Sequence, residues 1–327
     1  MADIVVGIAT SRSPMTSLPP EMWPELGERD KLSTRIKDRY GVPTNYEELL
    51  AKAPASVGGH LTPEVMAAKH ARVVQHTRTL VDTMAEARPD VLVIMGDDED
   101  ENIWGDNRPA IMIYWGDSYH LIPRAVPPGA NEMTRLAAWA WGKEEGDHAT
   151  AGSLGRHLVE RLIEAEFDIA SADIQKPGEG MAHGFGFVLD RLTPGVSIPF
   201  VPVILNVHTP PNQPTPKRLY DFGKALREAL LSWPGNERVA VVATGGLSVG
   251  IVDEELDRLA LAGMAERDMD KLAALPRTWM QGSQGEVLCW MATAGASDHL
   301  DMELLEYIPG YRSPAGTGCG LAFARWR

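Results

Sequence analysis

The sequence predicts an α/β fold, a single domain with a central, largely buried sheet flanked by helices. Three observations carry that reading. Short runs rich in Val, Ile and Ala alternate with stretches of helical period, as strands and helices do in α/β chains. Two of these runs, Phe200 to Val207 and Arg238 to Thr244, are apolar almost throughout, as strands covered on both faces are. No Gly/Ser-rich linker, low-complexity tract or internal repeat divides the 327 residues, so one domain over 1–327 is expected.

The elements follow in order. DIVVGIAT, Asp3 to Thr10, alternates like a strand. From Ser11 to about Gly59 the chain is rich in Pro, Glu and Lys and lacks a period. We expect loop with short helical pieces there, an insertion over about 15–59 of the kind that covers a site. Thr62 and Pro63 supply an N-cap and a first-turn proline for a helix whose apolar stripe is Met66, His70, Val73, Thr77, Leu80 and Met84. Val91 to Met95 and Ala110 to Trp115 are strands, Thr150 to Glu166 a helix with Leu154, Leu158 and Leu162 on one face, and Phe167 to Ala172 a strand. After the buried run ending at Val207, Thr215 and Pro216 open a helix carrying Leu219, Phe222 and Leu226. Arg238 to Thr244 is the next strand, and a helix starts near Asp253.

Bulk properties bound the partners. A net charge of -14 argues against nucleic acid and anionic membranes, both of which need a basic footprint. No stretch reaches the ~20 apolar residues of a membrane span, and MADIVVGIAT lacks the basic region of a signal peptide. A cytoplasmic protein with a small-molecule ligand is expected. Cys289 and Cys319 are too few for a disulfide framework or a cysteine-built zinc site.

Ligands of open α/β sheets bind beyond the C-terminal ends of strands, which singles out SRSP, GDDEDE, NVHTPPNQP and GGLSVG. The second contains five consecutive carboxylates, Asp97 to Glu101, and reads either as a hard-metal loop or as a charged turn. Gly246 to Gly250 matches G-x-S-x-G after a buried strand, so Ser248 is a candidate hydrolase nucleophile. A glycine turn with a capping serine explains the same residues, and Asp298 and His299 are adjacent, an awkward supply of two triad roles. His183, in GEGMAHGFGF beside Phe185 and Phe187, is either an acid/base imidazole in a close-approach loop or a surface histidine. Glu255 sits where acids stabilise a helix N-terminus.

Taken together, GIATSRSP, VLVIMGDD, MAHGFGF, NVHTPPNQP, ATGGLSVGIVDEELD, GSQGEVLCWMATAGA and YIPGYRSPAGTGCGLAF resemble the class III extradiol ring-cleavage dioxygenases, in the manner of the catalytic β subunit of protocatechuate 4,5-dioxygenase. The resemblance runs over most of the chain and implies an α/β fold, a ferrous ion held by two His and one Glu, and a further acid/base His. Under it Glu255 falls on the iron glutamate and His183 on the acid/base histidine. Both iron histidines are replaced: S-H-x-P reads Ser11-Arg12-Ser13-Pro14, and N-D-H reads Gly96-Asp97-Asp98. The family's histidine after G-G-L-S is Val249.

A guanidinium cannot ligate a metal, so the expectation is a remodelled site with no cofactor, with Fe(II) or another divalent metal at Asp98 and Glu255 as the alternative. In the remodelled site Arg12 pairs with Asp98 or Glu255 and holds a phenolate or carboxylate. His183, Arg12 and Asp98 are the expected catalytic residues; Arg12, Trp104, Phe185, His208 and Ser248 are the expected substrate contacts. The substrate class is a small phenolic aromatic or its ring product, and a homo-oligomer or a small partner subunit is expected. A ferrous dioxygenase with reassigned ligands, a non-catalytic partner subunit and a serine hydrolase stay open beside it.

Overall fold

In the computed structural model, residues 1–102, 107–138 and 142–327 are described. Along the chain these form β1 (Asp3–Thr10), α1 (Trp23–Asp30), α2 (Tyr46–Lys52), α3 (Pro63–Ala87), β2 (Val91–Asp97), β3 (Ile111–Tyr114), β4 (Ser118–Leu121), α4 (Glu132–Ala138), β5 (Gly146–Ala149), α5 (Gly152–Glu164) and β6 (Ala170–Ala172). There follow α6 (His183–Arg191), β7 (Phe200–Leu205), α7 (Pro216–Leu231), β8 (Arg238–Thr244), β9 (Val249–Ile251), α8 (Glu254–Ala265), α9 (Met269–Ala273), α10 (Val287–Ala296), β10 (Met302–Tyr311) and β11 (Thr317–Trp326). The caps expected for two helices are formed: Thr62 and Thr215 each accept a backbone N–H from the first turn of α3 and α7, and Asp253 does the same for α8. No described helix is long and apolar enough to cross a membrane.

The sheet order is β10-β11-β1-β8-β2-β7-β3-β6, with β9 paired to β11. Its centre, β1, β8, β2 and β7, is parallel. The flanking strands β11 and β3 run antiparallel to it. Successive side chains of a strand point to opposite faces, and here both faces are covered. Val91, Val93 and Met95 of β2 join a core with α5, α7 and α10, while Leu92 and Ile94 join a second core with α3 and α6. That is why these strands are apolar throughout instead of alternating.

Because the four central strands share a direction, their C-terminal ends share one edge. Arg12 follows β1, Asp97 ends β2, His208 follows β7 and Gly246 follows β8. The proline-rich segment after β1 supplies two short helices and 3-10 turns, as expected, and is tied down at both ends. Asp30 accepts two bonds from Arg312 at 2.7 and 2.8 Å. Arg39 meets Asp253 at 3.0 Å and lies over the Trp279 ring at 4.1 Å.

The C-terminal hairpin of β10 and β11 and the small β4–β5 ribbon were not expected from the sequence. Much of the GTGCG tail is strand, closing the sheet against β1.

Helix α10 is buried over its whole length and meets α7 backbone to backbone through two glycines. A Cβ at Gly223 would lie 2.0 Å from the carbonyl O of Ala292, and one at Gly295 would lie 2.0 Å from that of Tyr220. Since α10 carries the chain away from Glu286, this contact fixes a site residue indirectly. Gly223→Val is expected to lower stability by about 1–3 kcal/mol or more through overpacking, read as a lower urea midpoint at unchanged m-value; an unchanged midpoint would show that the two helices can separate freely.

Candidate active site at the strand ends

The acidic loop after β2 is two structures in one. Asp98 turns back and accepts the N–H groups of Glu101 and Asn102 at 2.8 and 2.9 Å, closing a tight turn. Asp97, still part of β2, points the other way into the protein and is fully buried. One of its oxygens accepts from Arg12 Nη2 at 2.7 Å, the other meets His208 Nε2 at 2.7 Å. The partner of Arg12 is therefore Asp97 and neither Asp98 nor Glu255. The physical reason is the strand's two-residue alternation, which sends neighbouring carboxylates in opposite directions.

Three carboxylates surround the guanidinium. Besides Asp97, Glu99 lies 3.3 Å from both Nη atoms, and Glu286 Oε2 lies 3.6 Å from Nη2. Glu286 stands directly before α10 and is anchored by the Gly246 N–H at 2.7 Å, so the glycine turn after β8 orients a carboxylate. Arg12 is buried, and its Nε is without a hydrogen-bond partner among the described residues.

His183 opens α6. Glu101 receives its backbone N–H at 2.7 Å and its Nδ1 at 2.5 Å, a two-point clamp that fixes the ring. The other ring nitrogen faces Glu99 at 3.7 Å. Arg12, Glu99, Glu101, His183 and Glu286 line one cavity of about 820 Å³, with Phe187 and Val249 in its wall and Ser17, Arg29 and Arg35 of the 15–59 segment on its rim.

Burial and charge set the protonation states. Burial pulls the Arg12 guanidinium down, but Asp97, Glu286, Glu99 and Glu101 outweigh it and raise its pKa further. Asp97 is disfavoured as an anion by burial, yet Arg12 and His208 hold its pKa well below the usual carboxylate range. His208 loses to burial and gains more from Asp97, Glu99 and Glu286, ending at about 9. Glu286 is pushed up to about 8, by burial first and by Asp97 and Glu99, against the opposing pull of Arg12.

Other expected residues sit elsewhere. Glu255 is exposed and pairs with Arg39 at 2.9 Å. Ser248 is buried, donates to Asp257 at 2.7 Å and accepts the Asp253 N–H at 3.0 Å, while α8 begins only at Glu254. Ser248 thus braces the turn that leads into α8, whose cap is Asp253. Phe185 is fully buried against Gly96 beneath the cavity. Trp104 lies outside the described residues. The carboxylates that sequence reasoning missed are Asp97, Glu99, Glu101 and Glu286. For Glu286 one signal was available, an acid directly before a helix that is apolar on every face.

The ferrous ion implied by the resemblance can be tested against these side chains. Asp97, Glu99, His208 and Glu286 each bring one donor atom, all within 4.8 Å of one another. The set holds one imidazole and three carboxylates, a hard-oxygen set suited to Mg, Ca or Mn more than to oxygen-activating iron. Its centre is taken by a guanidinium, and the His208 nitrogen that would ligate is committed to Asp97. These residues do not fit a two-histidine ferrous centre.

The comparisons with known proteins agree with the fold. The family model described as the catalytic LigB subunit of aromatic ring-opening dioxygenase matches residues 60–296. Among curated proteins, gallate dioxygenase of Pseudomonas putida is 39% identical over 106 residues, which cover 32% of this chain and 29% of that protein. The alignment thus spans less than a third of the relative's length.

Two predictions follow from the charge cluster. His208 at about 9 and Glu286 at about 8 both lie above their ordinary values of 6.5 and 4.5, so each binds its proton more tightly folded than unfolded. Each contribution is fully present below the ordinary value and is lost as pH rises through the folded value. Urea stability is therefore expected to fall from pH 6.5 to pH 9, less steeply in Glu286→Gln; a rise over that range would contradict the assignment. Asp97→Asn, which leaves Arg12 and His208 short of their shared anion, is expected to cost about 3–5 kcal/mol, measured by equilibrium denaturation at neutral pH.

Proposed function

Because the chain belongs to the family of the catalytic LigB subunit of aromatic ring-opening dioxygenases, we propose that it is an enzyme acting by acid–base chemistry at an iron-free site. Its substrate class is a small phenolic or catechol-like aromatic, or the ring-opened product of one. The relative's name, gallate dioxygenase, supports a phenolic ligand. One observation carries the reading: a clamped imidazole and a buried guanidinium line the same cavity, bridged by Glu99.

The Glu101 carboxylate accepts Nδ1–H of His183, which assigns the tautomer and leaves Nε2 as the basic atom. That nitrogen takes a proton from a phenol hydroxyl or an activated carbon and returns it one step later. The Nη groups of Arg12 that Glu99 now holds are the donors for the oxyanion that forms, and the guanidinium charge is fixed at every working pH. Glu99, about two-fifths exposed, is the carboxylate that an incoming anion displaces from Arg12. His208, held as a cation by Asp97, adds positive charge beneath the site. The 15–59 segment, which supplies Ser17, Arg29 and Arg35, closes the cavity over the ligand. Hydrolysis, tautomerisation and carbon–carbon lysis all use this pair of roles.

A metal-dependent dioxygenase with reassigned ligands is the second reading, favoured by the convergence of Asp97, Glu99, His208 and Glu286.

The deciding experiment is metal analysis of anaerobically purified protein, combined with a screen of catechols and their ring-opened products. Turnover is expected to survive chelation and to consume no oxygen. His183→Gln is expected to lower kcat by about 10²–10⁴-fold with little change in KM, and Glu101→Gln by less. Near-stoichiometric iron together with oxygen uptake on a catechol would overturn the proposal in favour of the second reading.

A further inference from the structure

Asp97, Glu99, Glu286 and His208 converge from two strand ends, those of β2 and β7, and the start of α10, with one donor atom of each within 4.8 Å of the others. Acidic clusters are common on surfaces, but here Asp97 and Glu286 are buried, with side chains 0% and 3% exposed. Buried carboxylates this close repel strongly when ionised, and a cation among them offsets that repulsion. What stands there is the tip of Arg12, whose Nη2 reaches Asp97, Glu99 and Glu286 at 2.7, 3.3 and 3.6 Å. The fit is good in charge and poor in hydrogen bonding. A guanidinium has five N–H donors in a planar fork, and Nε, on a side chain 5% exposed, finds no partner among the described residues. The donors are arranged around a compact point of charge, which a fork fills only with its tip.

We propose that Arg12 is a built-in cation occupying a divalent-metal position. Asp97, Glu99, Glu286 and His208 form a site for a hard, oxygen-preferring divalent ion that the guanidinium keeps closed. This concerns the ion and not the reaction, and holds whether or not the acid–base assignment above is correct. Removing Arg12 leaves the carboxylates uncompensated and opens a compact space beside them. An ion of the Mn(II) or Mg(II) class takes carboxylate oxygens at about 2.0–2.2 Å. Lysine at position 12 keeps the charge and is expected to keep the site closed.

The test is Mn(II) titration of the metal-stripped full chain, following the free-ion EPR signal, for wild type, Arg12→Ala, Arg12→Lys and the double variant Arg12→Ala/Asp97→Asn. Wild type and Arg12→Lys are expected to take up no stoichiometric Mn(II). Arg12→Ala is expected to bind one ion per chain about 100-fold or more tightly than wild type, the scale on which breaking a buried ion pair is felt. The double variant is expected to lose that gain. Circular dichroism accompanies each titration: if Arg12→Ala is unfolded without metal, Mn(II) is expected to restore the native spectrum and raise the thermal midpoint. Tight stoichiometric binding by wild type would overturn the proposal. So would a folded Arg12→Ala that takes up no Mn(II), or an unfolded one that Mn(II) fails to restore.

Discussion

A guanidinium buried at the head of a parallel sheet must be neutralised where it lies, and the architecture of the cavity floor depends on that requirement. Arg12 cannot shed its proton, so the carboxylates reaching it stand at hydrogen-bond or ion-pair distance. Asp97 is shared between Arg12 and His208, which keeps His208 charged. Glu286 enters the same field from the start of α10 and is held largely protonated near neutral pH. The cluster is a mutual constraint: changing one member alters the charge state of the rest.

The fold makes such a cluster affordable by bringing several strand ends to one edge. Strands β1, β8, β2 and β7 are parallel and covered on both faces, so their interiors carry apolar side chains and their polar residues collect at the ends. The glycine turn after β8 places Val249 in the cavity wall. Its Gly246 N–H orients Glu286, and its serine joins the cap residue Asp253 to Asp257 of α8. The resemblance to a serine-hydrolase elbow is local, and the hydrogen bonds explain it fully. The clamp of Glu101 on His183 is the second polar anchor, and it sits at a helix start, where the backbone N–H is otherwise unsatisfied.

How much was legible in the sequence varied with the range of the interaction. β1 and β8 run over the residues their apolar patterns mark, and α3 and α7 start at their Thr-Pro caps. Those features are set by neighbours a few residues apart. Arg12 and His183 were identifiable because one follows a strand end and the other a glycine-rich stretch, and both line the cavity. Asp98 and Glu255 were the wrong members of their acidic runs. Asp97 against Asp98 is a one-residue difference that only the strand's pleat decides, and Glu255 against Glu286 is a choice between two helix starts.

The sequence by itself determined the α/β class and the membership in the ring-opening dioxygenase family. These rest on local period, motif order and residue identity, none of which needs coordinates. Only the tertiary structure decided which carboxylates meet Arg12, because Asp97, Glu99 and Glu286 lie as far as 274 positions along the chain from it. Contacts at that range are made by packing and charge compensation in the folded interior, and composition and spacing carry no record of them.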